Sequence, residues 1–126
     1  MPSTPHILVV DDDPGLLEMI TTALKAYQYE VSAIPVTSEL FSFLDNMNTL
    51  PDLVLLDVYW AGNDGRTICR ELKTNDTYKN IPVILYSAGD ISDASIRHSM
   101  ADQFFPKPFN ISKLVKTIQQ LTRDNV

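Results

Sequence analysis

Residues 7–15 read ILVVDDDPG: four apolar residues run directly into three aspartates, then a proline and a glycine. His6 to Val10 has the β-branched, apolar character of a short buried strand, followed by turn chemistry. Pro14 suits the first turn of a helix. Leu16, Leu17, Ile20, Ala23, Leu24 and Tyr27 then recur at the spacing of one helix face. The stretch is a strand, an acidic loop and a helix. Two readings of the acids compete: a solvated turn whose last acid caps the helix, or a set of ligands for a cation.

Working outward, the same alternation repeats. Tyr29 to Ile34 reads as a second strand closed by Pro35, and Ser38 as the N-cap of a short helix carrying Leu40, Phe41 and Leu44. Leu53 to Leu56 is apolar on both faces, as a central parallel strand should be. Residues 59–65, YWAGNDG, read as a loop, and Gly65 leads into a helix with Ile68, Cys69 and Leu72. Pro82 opens a fourth strand, Val83 to Tyr86. A weaker helix over Ile91 to Met100, a short strand over Gln103 to Phe105 and a helix over Ile111 to Leu121 complete the chain. Five strands alternating with five helices predict an α/β fold: a five-stranded parallel sheet with helices on both faces. In the flavodoxin-like order 2-1-3-4-5, strands one and three are neighbours at the switch point, where ligands bind beyond the carboxyl ends.

Those carboxyl ends hold the chemistry. Asp11, Asp12 and Asp13 follow strand one, Asp57 follows strand three, Ser87 follows strand four and Lys107 follows strand five. Two carboxylates about 4 Å apart repel by roughly 4 kcal/mol at an effective dielectric near 20. Lys107 offers a single positive charge, so a converging cluster would remain negative. A hard divalent ion with oxygen ligands is the complement, and magnesium suits a few carboxylates plus waters. A metal, a lysine and a hydroxyl equip a site for phosphoryl chemistry, with a carboxylate as nucleophile.

Composition narrows the rest. The 126 residues match the size of one domain. Cys69 is the single cysteine, which excludes an intramolecular disulfide and a multi-cysteine metal site. The formal net charge of −6 argues against direct nucleic-acid binding, which wants a basic stripe. Lys113, Lys116 and Arg123 stand at helical spacing among apolar residues and read as a solvated face. No signal pattern or membrane-length apolar run is present, so a cytoplasmic protein without membrane contact is expected.

The segments ILVVDDDP, PDLVLLDVYWAGNDG, IPVILYSAG and FFPKPF, in this order and spacing, resemble the receiver domain of bacterial two-component response regulators, in its single-domain, chemotaxis-regulator-like form. The resemblance covers essentially the whole chain. It implies Asp57 as phosphoacceptor, Asp12 as a direct Mg2+ ligand and Asp11 acting largely through water. It adds the Tyr59 backbone carbonyl as a further ligand, with Asp57 itself contributing to the metal site. Ser87 and Lys107 would contact phosphoryl oxygens, Ser87 and Phe104 would form the switch, and Tyr59 and Gly89 would tune phosphoryl lifetime. The Lys107–Pro108 bond is cis in that family. The implied partners are a sensor histidine kinase or histidine phosphotransfer protein and a downstream protein target, reached through the face of helix four, strand five and helix five. A single receiver domain over residues 1–126 with no output domain is expected.

This chain departs from the family pattern at Ala61, where proline is common, at Trp60, where methionine is frequent, at Ser87, where threonine is more usual, and at Met100, where glycine is usual. None removes a reacting group. Trp60 and Tyr59, beside the acceptor, read either as local packing or as a wall against attacking water. His98 reads as a surface helix residue, Cys69 as a small core residue, and Phe104 equally as core or switch. Two rival functions remain. A phosphatase of the haloacid-dehalogenase type would use Asp11 and Asp13 with Ser87 and Lys107, but it needs a later acidic motif and leaves Asp57 unexplained. An unphosphorylated receiver-like interaction module would have no need of the reacting groups retained here.

Overall fold

Runs rich in leucine, isoleucine and valine form β1 (His6–Val10), β3 (Leu53–Asp57) and β4 (Val83–Ser87), and the mixed segments EVSAI and QFFP form β2 (Glu30–Ile34) and β5 (Gln103–Pro106). The helices between them are α1 (Pro14–Ala26), α2 (Leu40–Asp45), α3 (Gly65–Lys73), α4 (Asp93–Ser99) and α5 (Ile111–Arg123). The computed structural model describes residues 4–35, 40–60, 63–89, 91–107 and 110–123. The expected Ser38 cap, the Ala61 departure and the cis bond at Pro108 lie outside them, as do the side chains of Tyr59 and Trp60.

The strands form one parallel sheet in the order β2-β1-β3-β4-β5, the flavodoxin-like arrangement expected. Side-chain alternation divides the core. Ile7, Val9, Leu53, Leu55, Ile84 and Tyr86 face α1 and α5, where Ile20, Leu24, Leu114 and Ile118 cover them. Leu8, Val10, Val54, Leu56, Val83 and Leu85 face α2 and α3, meeting Leu40, Leu44, Cys69 and Leu72. Every residue of β3 and β4 is buried, which is why these strands are apolar on both faces. Each fully buried leucine or isoleucine contributes about 1.5–3 kcal/mol. A one-residue slip would exchange the two faces, so the register is strongly specified.

Local chemistry sets the boundaries. Asp13 caps α1, its Oδ1 accepting from Gly15 N at 3.0 Å and Leu16 N at 3.2 Å. The last of the three acids therefore does what the capped-turn reading says. The segment after Asp57 differs from the expected plain loop: Tyr59–Trp60 pairs antiparallel with Asn63–Asp64. Helix α4 is shorter than expected, because Ser92 Oγ accepts from Ser95 N at 3.1 Å and fixes the start. Met100 ends it at φ 67°, a left-handed conformation that glycine adopts without strain and a side chain adopts at a cost. Cys69 is buried and His98 is exposed on α4.

Candidate functional site

The sheet register lines up the strand ends. Val10 pairs with Leu56, so Asp11 and Asp57 follow at the same level, and Asp57 itself pairs with Tyr86. Alternation points Asp11, Asp57 and Tyr86 out of the same face. Carboxylate oxygens of Asp11, Asp12 and Asp57 lie within 4.8 Å of one another. Asp11 and Asp57 are buried, at 0% and 4% exposure, while Asp12 is exposed. The chain thus sinks two acids into the sheet end and leaves the third toward solvent.

Lys107, just past β5, reaches back over this cluster. Its Nζ lies 3.4 Å from Asp57 Oδ2 and 3.6 Å from Asp11 Oδ2. The Lys107 backbone N donates to Ser87 O at 2.8 Å, which anchors the lysine beside β4. Ser87 is fully buried, and its Oγ accepts from Gly89 N at 3.1 Å. The hydroxyl therefore ties the exposed Gly89 turn to the end of β4. Phe104 is half-buried on β5, opposite Leu85, and packs on the α2–α3 side of the sheet. Asp13 stays outside the carboxylate cluster, committed to its cap.

Tyr86 has a part in this geometry that the sequence reading missed. Its hydroxyl donates to Asp11 Oδ2 at 2.7 Å, and Lys107 Nζ sits 4.8 Å from its ring centroid. Burial, and then the neighbouring Asp11 carboxylate, push the Tyr86 phenol far above its ordinary range, so it is a protonated donor. The signal was its parity: Tyr86 stands two residues after Ile84, on the same sheet face as Asp57, with which it is in register. In an apolar strand, a tyrosine reads as core.

Three carboxylates against one ammonium leave the cluster negative. Its donors are hard oxygens, converging from two strand ends, and one of them is open to solvent. That donor set fits a small divalent cation that keeps several waters. Asp11, Asp12 and Asp57 could hold it, with the Tyr59 backbone lying two residues beyond Asp57. Arranged this way, the site sets one lysine against the carboxylates, with the Ser87 hydroxyl at the end of the neighbouring strand.

A family model for the response regulator receiver domain matches residues 7–119. Response regulator PleD of Caulobacter vibrioides is 37% identical over 120 residues, covering 94% of this chain and 26% of PleD. DNA-binding response regulator MtrA of Mycolicibacterium smegmatis is 34% identical over 122 residues, covering 95% of this chain and 51% of MtrA. The chain therefore spans about a quarter and about half of these two curated relatives. Among solved structures, response regulator protein TrrA of Thermotoga maritima, in complex with Mg(2+)-BeF, superposes with a TM-score of 0.80 at 29% identity. That match covers 94% of this chain and 99% of TrrA.

Proposed function

The chain belongs to the response regulator receiver domain family, and from that membership we propose a phosphoacceptor switch in which Asp57 receives the phosphoryl group. The observation that carries this reading is the placement of Asp57 at the end of β3. Its carboxylate is grouped with Asp11 and Asp12, and Lys107 Nζ is 3.4 Å away. An Asp57 oxygen attacks phosphorus, the bond from phosphorus to the donor nitrogen of a phosphohistidine breaks, and an acyl phosphate remains. Lys107 faces the negative oxygens of the transferring group, and the Ser87 hydroxyl donates to one of them. When bound at Asp11, Asp12, Asp57 and the Tyr59 carbonyl, Mg2+ supplies positive charge against those oxygens. TrrA in complex with Mg(2+)-BeF supports that choice of metal.

The added phosphoryl group brings about −1.5 to −2 charge near neutral pH. Ser87 and Lys107 then move toward the phosphoryl group, and the turn after β4, tied to Ser87 Oγ by the Gly89 N–H, shifts with them. Phe104, on the neighbouring strand, repacks, and the α4–β5–α5 face changes its affinity for a downstream protein. Gly89 and Tyr59, flanking the site, tune how long the acyl phosphate survives attack by water. The donor is a sensor histidine kinase or a histidine phosphotransfer protein, and the setting is cytoplasmic. Among the described residues, no helix is long and apolar enough to cross a membrane. The acidic balance that disfavours nucleic acid concerns these 126 residues, whereas MtrA is a DNA-binding regulator of about twice the matched length.

The phosphatase reading would pair Asp11 with Asp13, and the Asp13 cap at the start of α1 counts against it. Intact mass after incubation with acetyl phosphate, with and without magnesium, tests the proposal. A magnesium-dependent gain of one phosphoryl group, absent in Asp57→Asn, supports it. Labelling that persists in Asp57→Asn and disappears in Asp11→Asn favours the phosphatase. No labelling in any form leaves the interaction module, or a receiver that accepts phosphate only from its own kinase.

A further inference from the structure

Asp11 is the most enclosed of the three acids, and its oxygens are already engaged. Oδ1 accepts from Asp13 N at 2.8 Å. Oδ2 accepts from the Tyr86 hydroxyl at 2.7 Å and faces Lys107 Nζ at 3.6 Å. Tyr86 reaches the same lysine from below, through its ring face. Lys107 thus rests on three supports: Asp57, Asp11 and the Tyr86 ring.

We propose that Tyr86 is a positioning residue that competes with the divalent cation for Asp11, holding that carboxylate toward Lys107 and so weakening metal binding at the site. This inference rests on the metal-assisted phosphoacceptor reading above and deepens it. A hydrogen bond from a neutral hydroxyl compensates part of a buried carboxylate's charge. What the hydroxyl compensates, a cation no longer needs to. Removing it leaves a buried acceptor short of a donor, and that deficit is relieved when a cation binds. The ring has a separate task. Its face attracts the ammonium, so Lys107 keeps its place over the acids whether or not the hydroxyl is there. The two functions can therefore be separated by deleting one oxygen.

Tyr86→Phe makes that deletion and keeps the ring. Isothermal titration with magnesium chloride, on wild type, Tyr86→Phe, Asp11→Asn and the double variant, reads the competition. Tyr86→Phe should bind magnesium roughly tenfold more tightly than wild type. That gain should vanish in the Asp11→Asn background. Thermal melting provides a second readout. In EDTA, Tyr86→Phe should melt below wild type, and saturating magnesium should shrink the gap. A purely structural hydroxyl would lower the melting temperature equally in both conditions and leave the affinity unchanged. Unchanged or weaker affinity, or a gap that does not depend on magnesium, overturns the proposal while the phosphoacceptor reading stands. Wild type that binds no magnesium at all overturns both.

Discussion

Gly65 is packed directly on the backbone of Asp57. A Cβ added at Gly65 would overlap the Asp57 carbonyl oxygen and come within 3.0 Å of Val58 Cα. The Gly65 N–H also donates to Val58 O at 2.6 Å. Helix α3 therefore starts against the segment that carries the proposed acceptor. Gly65→Ala must push that backbone aside, and overpacking of this kind costs about 1–3 kcal/mol. Urea unfolding should show a lower midpoint with an unchanged slope, and acetyl phosphate labelling of Asp57 should slow. A variant with wild-type midpoint and labelling would show that the two backbones separate freely.

Asp12 is the exposed member of the acidic cluster, so its loss should damage metal binding without damaging the core. A cation that binds only the folded state stabilises it, by about 2.7 kcal/mol at a hundredfold excess over Kd. Wild type should therefore melt at a higher temperature in magnesium than in EDTA. Asp12→Asn should lose most of that difference. In EDTA it should melt no lower than wild type, because one of three repelling charges is gone. A full magnesium shift in Asp12→Asn would place the ion elsewhere.

The acids, Ser87 and Lys107 were legible in the sequence because each follows an apolar run, and parallel strands bring such ends together. Asp13 was legible in both its readings, and only the cap geometry chose between them. Tyr86 was hidden because its neighbours on both sides are core, and its meaning depends on pairing with Asp57 across a crossover. The Tyr59–Trp60 and Asn63–Asp64 ladder was hidden because two residues are too few to show a period of two. The contacts of Arg66 and Asp102 were also invisible, since each joins elements brought together only by the fold.

Asp102 holds the start of β4. Its Oδ2 accepts from Val83 N at 2.8 Å and from Lys73 Nζ at 2.9 Å. Lys73, at the end of α3, also donates to Ile81 O at 3.1 Å, and its side chain is only 12% exposed. Asp102→Ala removes the acceptor from the Val83 N–H and the counter-charge from a nearly buried ammonium. The loss should be about 2–3 kcal/mol by urea unfolding. Asp102→Asn keeps a carbonyl oxygen in place and should recover part of it. Equal losses in the two variants would assign the whole effect to the charge.

Arg66 joins the acceptor loop to α4, and this link has a pH signature. Its Nε and Nη2 donate to the two oxygens of Asp64 at 2.9 and 2.7 Å, and its Nη1 donates to Ser95 Oγ at 2.9 Å. The Arg66 side-chain hydrogen bonds hold the Asp64 carboxyl below its ordinary value of 3.8. A folded-state pKa below the unfolded one gives stability that is present above the unfolded value and lost as pH falls through the folded value. The Asp64 side chain is 39% exposed, so solvent screens the pair and the contribution is small. Arg66→Gln removes the guanidinium, and Asp64 should then titrate closer to 3.8 when its carboxyl is followed by carbon NMR. The stability gap between wild type and variant should narrow as pH falls from about 6 to about 2. An Asp64 titration that does not move in Arg66→Gln would assign the low value to its capping of α3, where it accepts from Arg66 N at 2.9 Å.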